Sequence, residues 1–218
     1  HYIIAVEDFD NDGREDLLAT NSAGNVVLLR NIGPFDFRDE TANAGLTDAQ
    51  PVLVADFNND GVSDILSVNL QRTEATLYLN NGQGIFTRQV LTGLLTADLA
   101  NYRDISYADV DNDGDLDLLF NANAATGGAV VAVFNQSNVS QTASPLFSGK
   151  SYLVKTTWRN AKFSVTDANG DGKQDLIILQ TNGVWPTDTH RSNPASLYLN
   201  TGNSSADYAN PSGAKTLA

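Results

Sequence analysis

The chain has 218 residues, 41% of them hydrophobic, which is enough to bury a core and excludes a disordered acidic tail. Its 26 acidic and 13 basic residues give a formal charge of −13, which repels phosphates, so nucleic acids and anionic membrane surfaces are excluded as partners. No cysteine is present, which excludes disulfides and thiolate sites, and no apolar run reaches the roughly 20 residues needed for membrane insertion.

Along the chain, short segments rich in branched residues recur in a fixed order between Gly, Asn and Asp, a pattern typical of strands. Four repeats each begin with one such segment, at 3–6, 52–55, 105–108 and 163–165. A second segment follows at 17–18, 65–66, 118–120 and 176–179, and a third at 26–29, 75–79, 129–134 and 196–199. A fourth strand is expected in every repeat, but it can be placed only in the first two, at 37–41 and 85–90.

Four strands in a repeat of about 50 residues is the size of a propeller blade. The sequence therefore predicts an all-β fold of β-propeller blades, with four four-stranded antiparallel repeats in a single module that spans 1–218. The predicted blades are 1–48, 49–101, 102–158 and 159–218.

An acidic segment of nine residues lies between the first and second predicted strands of every repeat. The four copies, at 8–16, 56–64, 109–117 and 167–175, align without a gap. Oxygens at positions 1, 3, 5 and 9, with a backbone carbonyl at position 7, converge when the backbone turns sharply at the Gly of position 6. Such an oxygen cage suits a hard divalent cation, so each segment is predicted to bind one structural calcium ion, about four in all.

The predicted metal ligands are the residues at these five positions of each copy. They are Asp8, Asp10, Asp12, Arg14 and Asp16; Asp56, Asn58, Asp60, Val62 and Asp64; Asp109, Asp111, Asp113, Asp115 and Asp117; and Asp167, Asn169, Asp171, Lys173 and Asp175.

Two other interpretations of the acidic segments fit the sequence less well. An EF-hand loop needs a Glu at its position 12, but that position holds Ala19, Ser67, Phe120 and Ile178, so this interpretation fails in all four copies. Asn, Asp and Gly also form plain turns, but a turn needs one or two such residues and not the same set of offsets four times. Copies two and four carry Asn58 and Asn169 at position 3, so they are predicted to bind calcium more weakly than the others.

The segment Asp-Phe-Asp-Asn-Asp-Gly-Arg-Glu-Asp-Leu at 8–17, together with its three copies, resembles the FG-GAP and VCBS repeats of integrin α-type propellers. Residues 37–46 and 77–87 are most similar to the cartilage acidic protein type of this repeat. The resemblance implies an extracellular β-propeller with calcium in its blade loops, used for adhesion and for protein or glycan recognition. Seven blades are usual in that family, so four repeats are expected to be a segment of a larger propeller.

An enzyme is not expected from this sequence, because a hydrolytic triad needs a positioned histidine and only His1 and His190 exist. No cofactor other than calcium is predicted. The favoured function is an extracellular module for adhesion, protein recognition or assembly. The alternatives are a carbohydrate-binding lectin that uses Trp158 or Trp185, and a structural subunit of an extracellular filament or surface layer that pairs with copies of itself.

Three insertions that interrupt the repeats are the predicted recognition segments, and they are 94–102, 136–158 and 182–193. The sequence also holds three acceptor patterns for N-glycosylation, at Asn135, Asn138 and Asn203, which apply to a secreted protein.

Overall fold

The structure is a computed structural model, and it describes residues 2–96, 99, 102, 104–124, 127–137, 145, 147–156, 162–179, 195–201 and 208–209. These residues form four antiparallel sheets of four strands each, here called blades one to four in chain order. In each blade the strands lie side by side in sequence order, as in a propeller blade. The predicted fold class, all-β with four-stranded antiparallel propeller blades, is therefore confirmed.

The sixteen strands have the following bounds. Blade one contains β1 (Tyr2–Glu7), β2 (Asp16–Thr20), β3 (Val26–Gly33) and β4 (Asp36–Asp39); blade two contains β5 (Pro51–Ala55), β6 (Asp64–Val68), β7 (Ala75–Asn80) and β8 (Phe86–Val90); blade three contains β9 (Ile105–Ala108), β10 (Asp117–Ala124), β11 (Gly127–Asn135) and β12 (Phe147–Thr156); blade four contains β13 (Lys162–Thr166), β14 (Asp175–Leu179), β15 (Ala195–Asn200) and β16 (Tyr208–Ala209).

The chain divides into two compact units, His1–Leu95 and Thr96–Ala218. Unit one holds blades one and two, and its core lies between these two sheets. Leu18 and Leu28 of blade one and Ile65 of blade two are fully buried in one apolar cluster. Phe9, which belongs to the first acidic segment, packs edge-to-face on Phe86 of blade two with ring centroids 5.9 Å apart. The burial of these side chains from water holds the two sheets together.

Unit two holds blades three and four and is built in the same way. Leu119 and Val130 of blade three share an apolar cluster with Leu176 and Ile178 of blade four, and all four side chains are fully buried. Val110 of the third acidic segment joins this cluster, as Phe9 does in unit one. In both units, therefore, the second residue of an acidic segment is part of the core between two blades.

The fourth strands of blades three and four are β12 and β16, which the sequence did not locate. The predicted recognition insertion at 136–158 is wrong in part, because Phe147–Thr156 is β12 and pairs with β11 along most of its length. The insertion at 182–193, with Trp185 and His190, lies outside the described residues, as do His1 and Trp158. Among the described residues there is no helix of the length and apolarity that crossing a bilayer requires.

Asn135 is the last residue of β11, and its side chain is fully buried. The amide of the acceptor pattern at Asn135 therefore lies inside the fold and is not presented to solvent. The other two acceptor patterns, Asn138 and Asn203, lie outside the described residues.

Candidate metal centres

Each acidic segment forms the hairpin between the first and second strands of its blade, and these are called hairpins one to four. The Asp at position 9 is the first residue of the second strand in every blade, because β2, β6, β10 and β14 begin at Asp16, Asp64, Asp117 and Asp175. The four hairpins therefore occupy the same place in the four sheets.

The carboxylate at position 1 organises each hairpin from within. Its Oδ1 accepts a hydrogen bond of 3.1 Å from the amide of position 5 in all four copies. Its Oδ2 accepts one of 2.8–3.0 Å from the amide of position 6. The carboxylate at position 5 in turn accepts one of 2.9–3.0 Å from the amide of position 7. These bonds fold the segment into a loop with its backbone amides turned toward the carboxylates.

Two residues of each hairpin have the left-handed backbone conformation that this loop requires. Position 4 has a φ of 57–60° at Asn11, Asn59 and Asn112, and a Gly takes that position in hairpin four. Position 6 is a Gly with a φ of 85–92° in every copy. Asn and Gly are the residues that adopt this region at the lowest cost, which explains their places in the repeat.

The Asp at position 9 connects the hairpin to two other parts of its blade. Its side chain is fully buried in all four copies. Oδ2 accepts a hydrogen bond of 3.0–3.3 Å from the amide of position 2. Oδ1 accepts one of 2.8 Å from the amide of an Asn near the end of the third strand, which is Asn31, Asn80, Asn135 or Asn200.

Burial is the largest influence on the pKa of Asp16, Asp64 and Asp117, although the backbone amides stabilise their charged forms. Burial raises the pKa of Asp64 to about 7 and that of Asp117 to about 8. It also raises the pKa of Asp16. A nearby cation would favour the ionised form of each group.

Carboxylate oxygens converge most closely in hairpins one and three. One oxygen each from Asp8, Asp10 and Asp16 lies within 4.8 Å of the others, and the same is true of Asp109, Asp111 and Asp113. Two oxygens that are both about 2.4 Å from one calcium ion are at most about 4.8 Å apart, so both clusters fit a single ion. The structure thus brings Asp16 into the first cluster, whereas Asp117 lies outside the cluster of hairpin three.

Position 3 distinguishes the four hairpins. In hairpins two and four, Nδ2 of Asn58 and Asn169 donates to the position 5 carboxylate, at 2.8 and 3.1 Å. In hairpin one, Asp10 accepts from the Arg30 guanidinium at 2.5 Å. In hairpin three, Oδ1 of Asp111 is buried and has no hydrogen-bond partner in the described part of the chain. Burial, followed by repulsion from Asp113 and Asp109, raises the pKa of Asp111 to about 6.

Hairpin three therefore fits a bound cation by two independent observations, the unpartnered oxygen and the cluster of three carboxylates. An oxygen-only set of ligands suits calcium, and calcium bound there would supply the missing partner of Asp111.

Sequence reasoning missed two kinds of residue at these hairpins. The first is the Asn near the end of each third strand, whose amide binds the position 9 carboxylate. The repeated Leu-Tyr-Leu-Asn at 77–80 and 197–200 was the signal that could have found it. The second is Arg30, which no repeated pattern marks. The side chain of Arg14 also pairs with Asp12, whereas only its backbone carbonyl was predicted to take part.

These features define a class of protein, a repeat protein of β-propeller blades whose first hairpins are acidic. A model of the FG-GAP-like repeat matches residues 8–67 and 56–120, which together are just over half of the 218-residue chain, so the chain belongs to the FG-GAP-like repeat family. The matched residues include hairpins one to three. No match was found among curated proteins.

Proposed function

We propose that this protein is an extracellular β-propeller module that holds one structural calcium ion in each acidic hairpin and serves adhesion, protein recognition or assembly. The observation that carries this proposal is the repetition of one set of five backbone-to-carboxylate hydrogen bonds in all four hairpins. Plain turns would not need three or four carboxylates each at the same offsets.

Electrostatics supports the binding of calcium. Each hairpin concentrates three to five carboxylates in a loop, and like charges at this separation repel one another strongly in a partly buried site. Calcium bound to the carboxylates would remove this repulsion and part of the chain's formal charge of −13. Its ligands are deprotonated oxygens, so the free energy of calcium binding would also stabilise the folded hairpins.

The extracellular location rests on the family and on the kind of site. FG-GAP repeats are typical of extracellular proteins. Calcium sites of extracellular modules often have dissociation constants of about 0.1–1 mM, and such sites are filled only where calcium is at millimolar concentration.

We propose binding rather than catalysis because the carboxyl groups with raised pKa values are engaged in hydrogen bonds within the blades. Asp16, Asp64 and Asp117 have raised pKa values, but each carboxylate already accepts two backbone hydrogen bonds inside its blade. Groups that are engaged in this way position a loop and do not face a substrate. The calcium ions are accordingly proposed to be structural.

Phe35 supports a role in recognition or assembly. It lies in the turn between β3 and β4, its side chain is fully exposed, and its φ is 58°. This conformation is strained for a bulky residue, and the same turn position in blade two, four residues after Asn80, is Gly84. An exposed aromatic ring held in a strained conformation adds nothing to the core and is suited to contact with another protein or a second copy.

Thermal unfolding of the full chain with calcium and with a chelator tests the calcium proposal. At a calcium concentration 100 times the dissociation constant, each site adds about 2.7 kcal/mol, so the melting temperature should rise strongly. Magnesium at the same concentration is the control, since it prefers a smaller octahedral site and its own water. Melting curves that coincide in calcium and chelator would contradict the proposal.

The variant Phe35→Gly tests the role in assembly. We expect its melting temperature to equal or exceed that of the wild type, because the strain of about 1 kcal/mol is removed and no buried area is lost. Sedimentation velocity should show weaker self-association. If the variant melts lower, Phe35 is structural and no longer supports recognition.

The lectin and the filament subunit remain the alternative proposals. A groove of about 540 Å³ on blade one is lined by Asn21, Asn25 and Thr41 among others. Oδ1 of Asn21 and the hydroxyl of Thr41 already take part in hydrogen bonds within the chain, which favours protein contact over glycan binding at this place. A glycan array tests the lectin, and electron microscopy of the native material tests the filament.

A further inference from the structure

Arg30 lies on β3, immediately before Asn31, and its side chain is only 14% exposed. Its guanidinium contacts hairpin one, because Nη1 donates to Asp10 Oδ2 at 2.5 Å and Nε lies 3.7 Å from Asp16 Oδ2. On its other side, Nη2 donates to the carbonyl of Gly84 at 3.3 Å, in the turn between β7 and β8. Arg30 therefore connects the acidic hairpin of blade one to blade two within unit one.

This cation occurs in one blade only. The residue before the corresponding Asn is Leu79 in blade two, Phe134 in blade three and Leu199 in blade four. Hairpins two and four, moreover, have a neutral Asn at position 3, whereas hairpin one has Asp10. Arg30 thus supplies a positive charge to a hairpin that has four carboxylates at its predicted ligand positions.

The same carboxylates are the ones that a calcium ion would use. Asp10 and Asp16 belong to the cluster of oxygens in hairpin one. A guanidinium beside these oxygens stabilises their negative charges when no metal is bound, but its charge also opposes the approach of a divalent cation. The two effects have opposite signs for the calcium-free and the calcium-bound protein.

We propose that Arg30 is a built-in counter-cation of hairpin one, which holds the hairpin on blade two without calcium and lowers the affinity of this hairpin for calcium. The proposal rests on the calcium binding proposed above. It changes the expected order of affinities, because hairpin one then binds calcium more weakly than hairpin three although both have Asp at position 3.

The test uses the full chain, labelled with ¹⁵N and titrated with calcium from a chelated state. The amide of the Gly at position 6 donates to the position 1 carboxylate in each hairpin, so the signals of Gly13, Gly61, Gly114 and Gly172 report the four hairpins separately. The variant is Arg30→Leu, which introduces the residue found at this place in blades two and four. The control is Arg88→Leu, which removes the same charge from a side chain that pairs with Glu74.

In the wild type, Gly13 should respond at a higher calcium concentration than Gly114. In Arg30→Leu, the midpoint for Gly13 should fall about tenfold, with Gly114 and Gly172 unchanged. The chelated variant should also melt at a lower temperature than chelated wild type, whereas Arg88→Leu should leave the Gly13 midpoint unchanged. If Arg30→Leu does not fold in chelator, Arg30→Gln, which keeps two donors without the charge, replaces it in the same comparison.

The outcomes separate this inference from the proposed function. If none of the four glycines responds to calcium, the proposed function fails and the inference fails with it. If the other hairpins respond while Gly13 has the same midpoint in wild type and variant, or a higher one in the variant, the inference alone is overturned.

Discussion

Asn80 Nδ2 donates a hydrogen bond of 2.9 Å to the main-chain carbonyl of Phe9, which is position 2 of hairpin one. Unit two contains the same relationship, since Asn200 Nδ2 donates to the carbonyl of Val110 at 2.8 Å. In both units, an Asn at the end of a third strand binds the acidic hairpin of the preceding blade. The conformation of the hairpin and the packing of the two blades are therefore linked. A cation that fixes the conformation of the hairpin would also stabilise the contact between the blades.

We expect the substitution Asn80→Ala to be strongly destabilising. The Asn80 side chain is 3% exposed. Its Nδ2 donates to Phe9 and Ser63, and its Oδ1 accepts from the amides of Gly82 and Gly84. Removing it leaves these buried groups without partners, at a cost of about 3–5 kcal/mol in the free energy of unfolding. Denaturant unfolding in calcium measures this change.

The matched control is Asn81→Ala, at the next position. The Asn81 side chain is exposed and accepts hydrogen bonds from the amides of Gln83 and Ile85 in its own turn. Its loss should cost about 1 kcal/mol or less. Equal effects of the two substitutions would show that the bond from Asn80 to Phe9 does not hold the blades together.

The substitution Asp111→Asn should stabilise the calcium-free protein and weaken calcium binding at hairpin three. It removes a carboxylate whose Oδ1 is buried without a partner in the described part of the chain and which Asp113 and Asp109 repel. It also gives hairpin three the position 3 residue of hairpins two and four, where the Asn amide donates to position 5. We expect a gain of about 1–2 kcal/mol in chelator.

The reverse substitution, Asn58→Asp in hairpin two, is the matched control for Asp111→Asn. It should destabilise the chelated protein and increase the stabilisation by calcium, since a fourth carboxylate is added to the hairpin. Calorimetric titration together with thermal unfolding measures both quantities. The two substitutions should have opposite effects on calcium affinity and opposite effects on stability in chelator. If both substitutions raise the calcium affinity, or both lower it, the charge at position 3 does not set that affinity.

The stability of the calcium-free protein should fall as the pH rises from 5 to 8. The folded-state pKa is about 7 for Asp64 and about 8 for Asp117, above the ordinary value of 3.8. The folded state therefore binds more protons, and the stability present below pH 4 is lost as the pH rises through these values. Each pKa unit corresponds to about 1.4 kcal/mol.

Melting temperatures in chelator at pH 5, 6, 7 and 8 check this dependence. The stabilisation by calcium should grow over the same range, because calcium binds the ionised carboxylates. In Asp117→Asn the decline between pH 7 and 8 should be smaller, since the group with the higher pKa is gone. A melting temperature that rises with pH in chelator would contradict the prediction.

The sequence predicted those parts of the fold that repeat. The first and second strands were placed in every blade because they directly flank the nonapeptide, and the third strands because each has an apolar segment of its own. The fourth strands of blades three and four, Phe147–Thr156 and Tyr208–Ala209, were not found. The number of residues between the third and the fourth strand differs from blade to blade, so no offset from the hairpin located them. Periodicity thus predicts an element where it adjoins a recognisable motif or has a clear apolar segment of its own.

The candidate site was predicted less completely than the fold. The nonapeptide identified the hairpins, but their attachment to the blades depends on residues far away in the chain. Asn80 is 71 residues from Phe9, and Gly84 is 54 residues from Arg30. Only the packing of one blade on another brings these pairs together. The sequence of one repeat does not indicate which residues of a neighbouring blade it contacts.

Gly84 has no side chain, and this leaves space for the guanidinium of Arg30 beside the turn. A Cβ at Gly84 would lie 2.8 Å from Cζ of Arg30, so the guanidinium would have to move, and the φ of 67° is itself unfavourable for other residues. Gly82 in the same turn has a φ of 77°, but a Cβ there would meet its nearest neighbour at 3.4 Å. Gly82→Ala therefore measures the backbone strain alone, about 1 kcal/mol.

Gly84→Ala should cost about 1–2 kcal/mol more than Gly82→Ala in the wild type, because it also displaces the guanidinium from Asp10 and Asp16. In an Arg30→Leu background this excess should shrink toward zero, since a shorter apolar side chain no longer reaches the turn. Denaturant unfolding in chelator of the four proteins gives the coupling free energy between residues 30 and 84. An excess of the same size in both backgrounds would mean that Gly84 is needed for its backbone conformation and that Arg30 is not held against this turn.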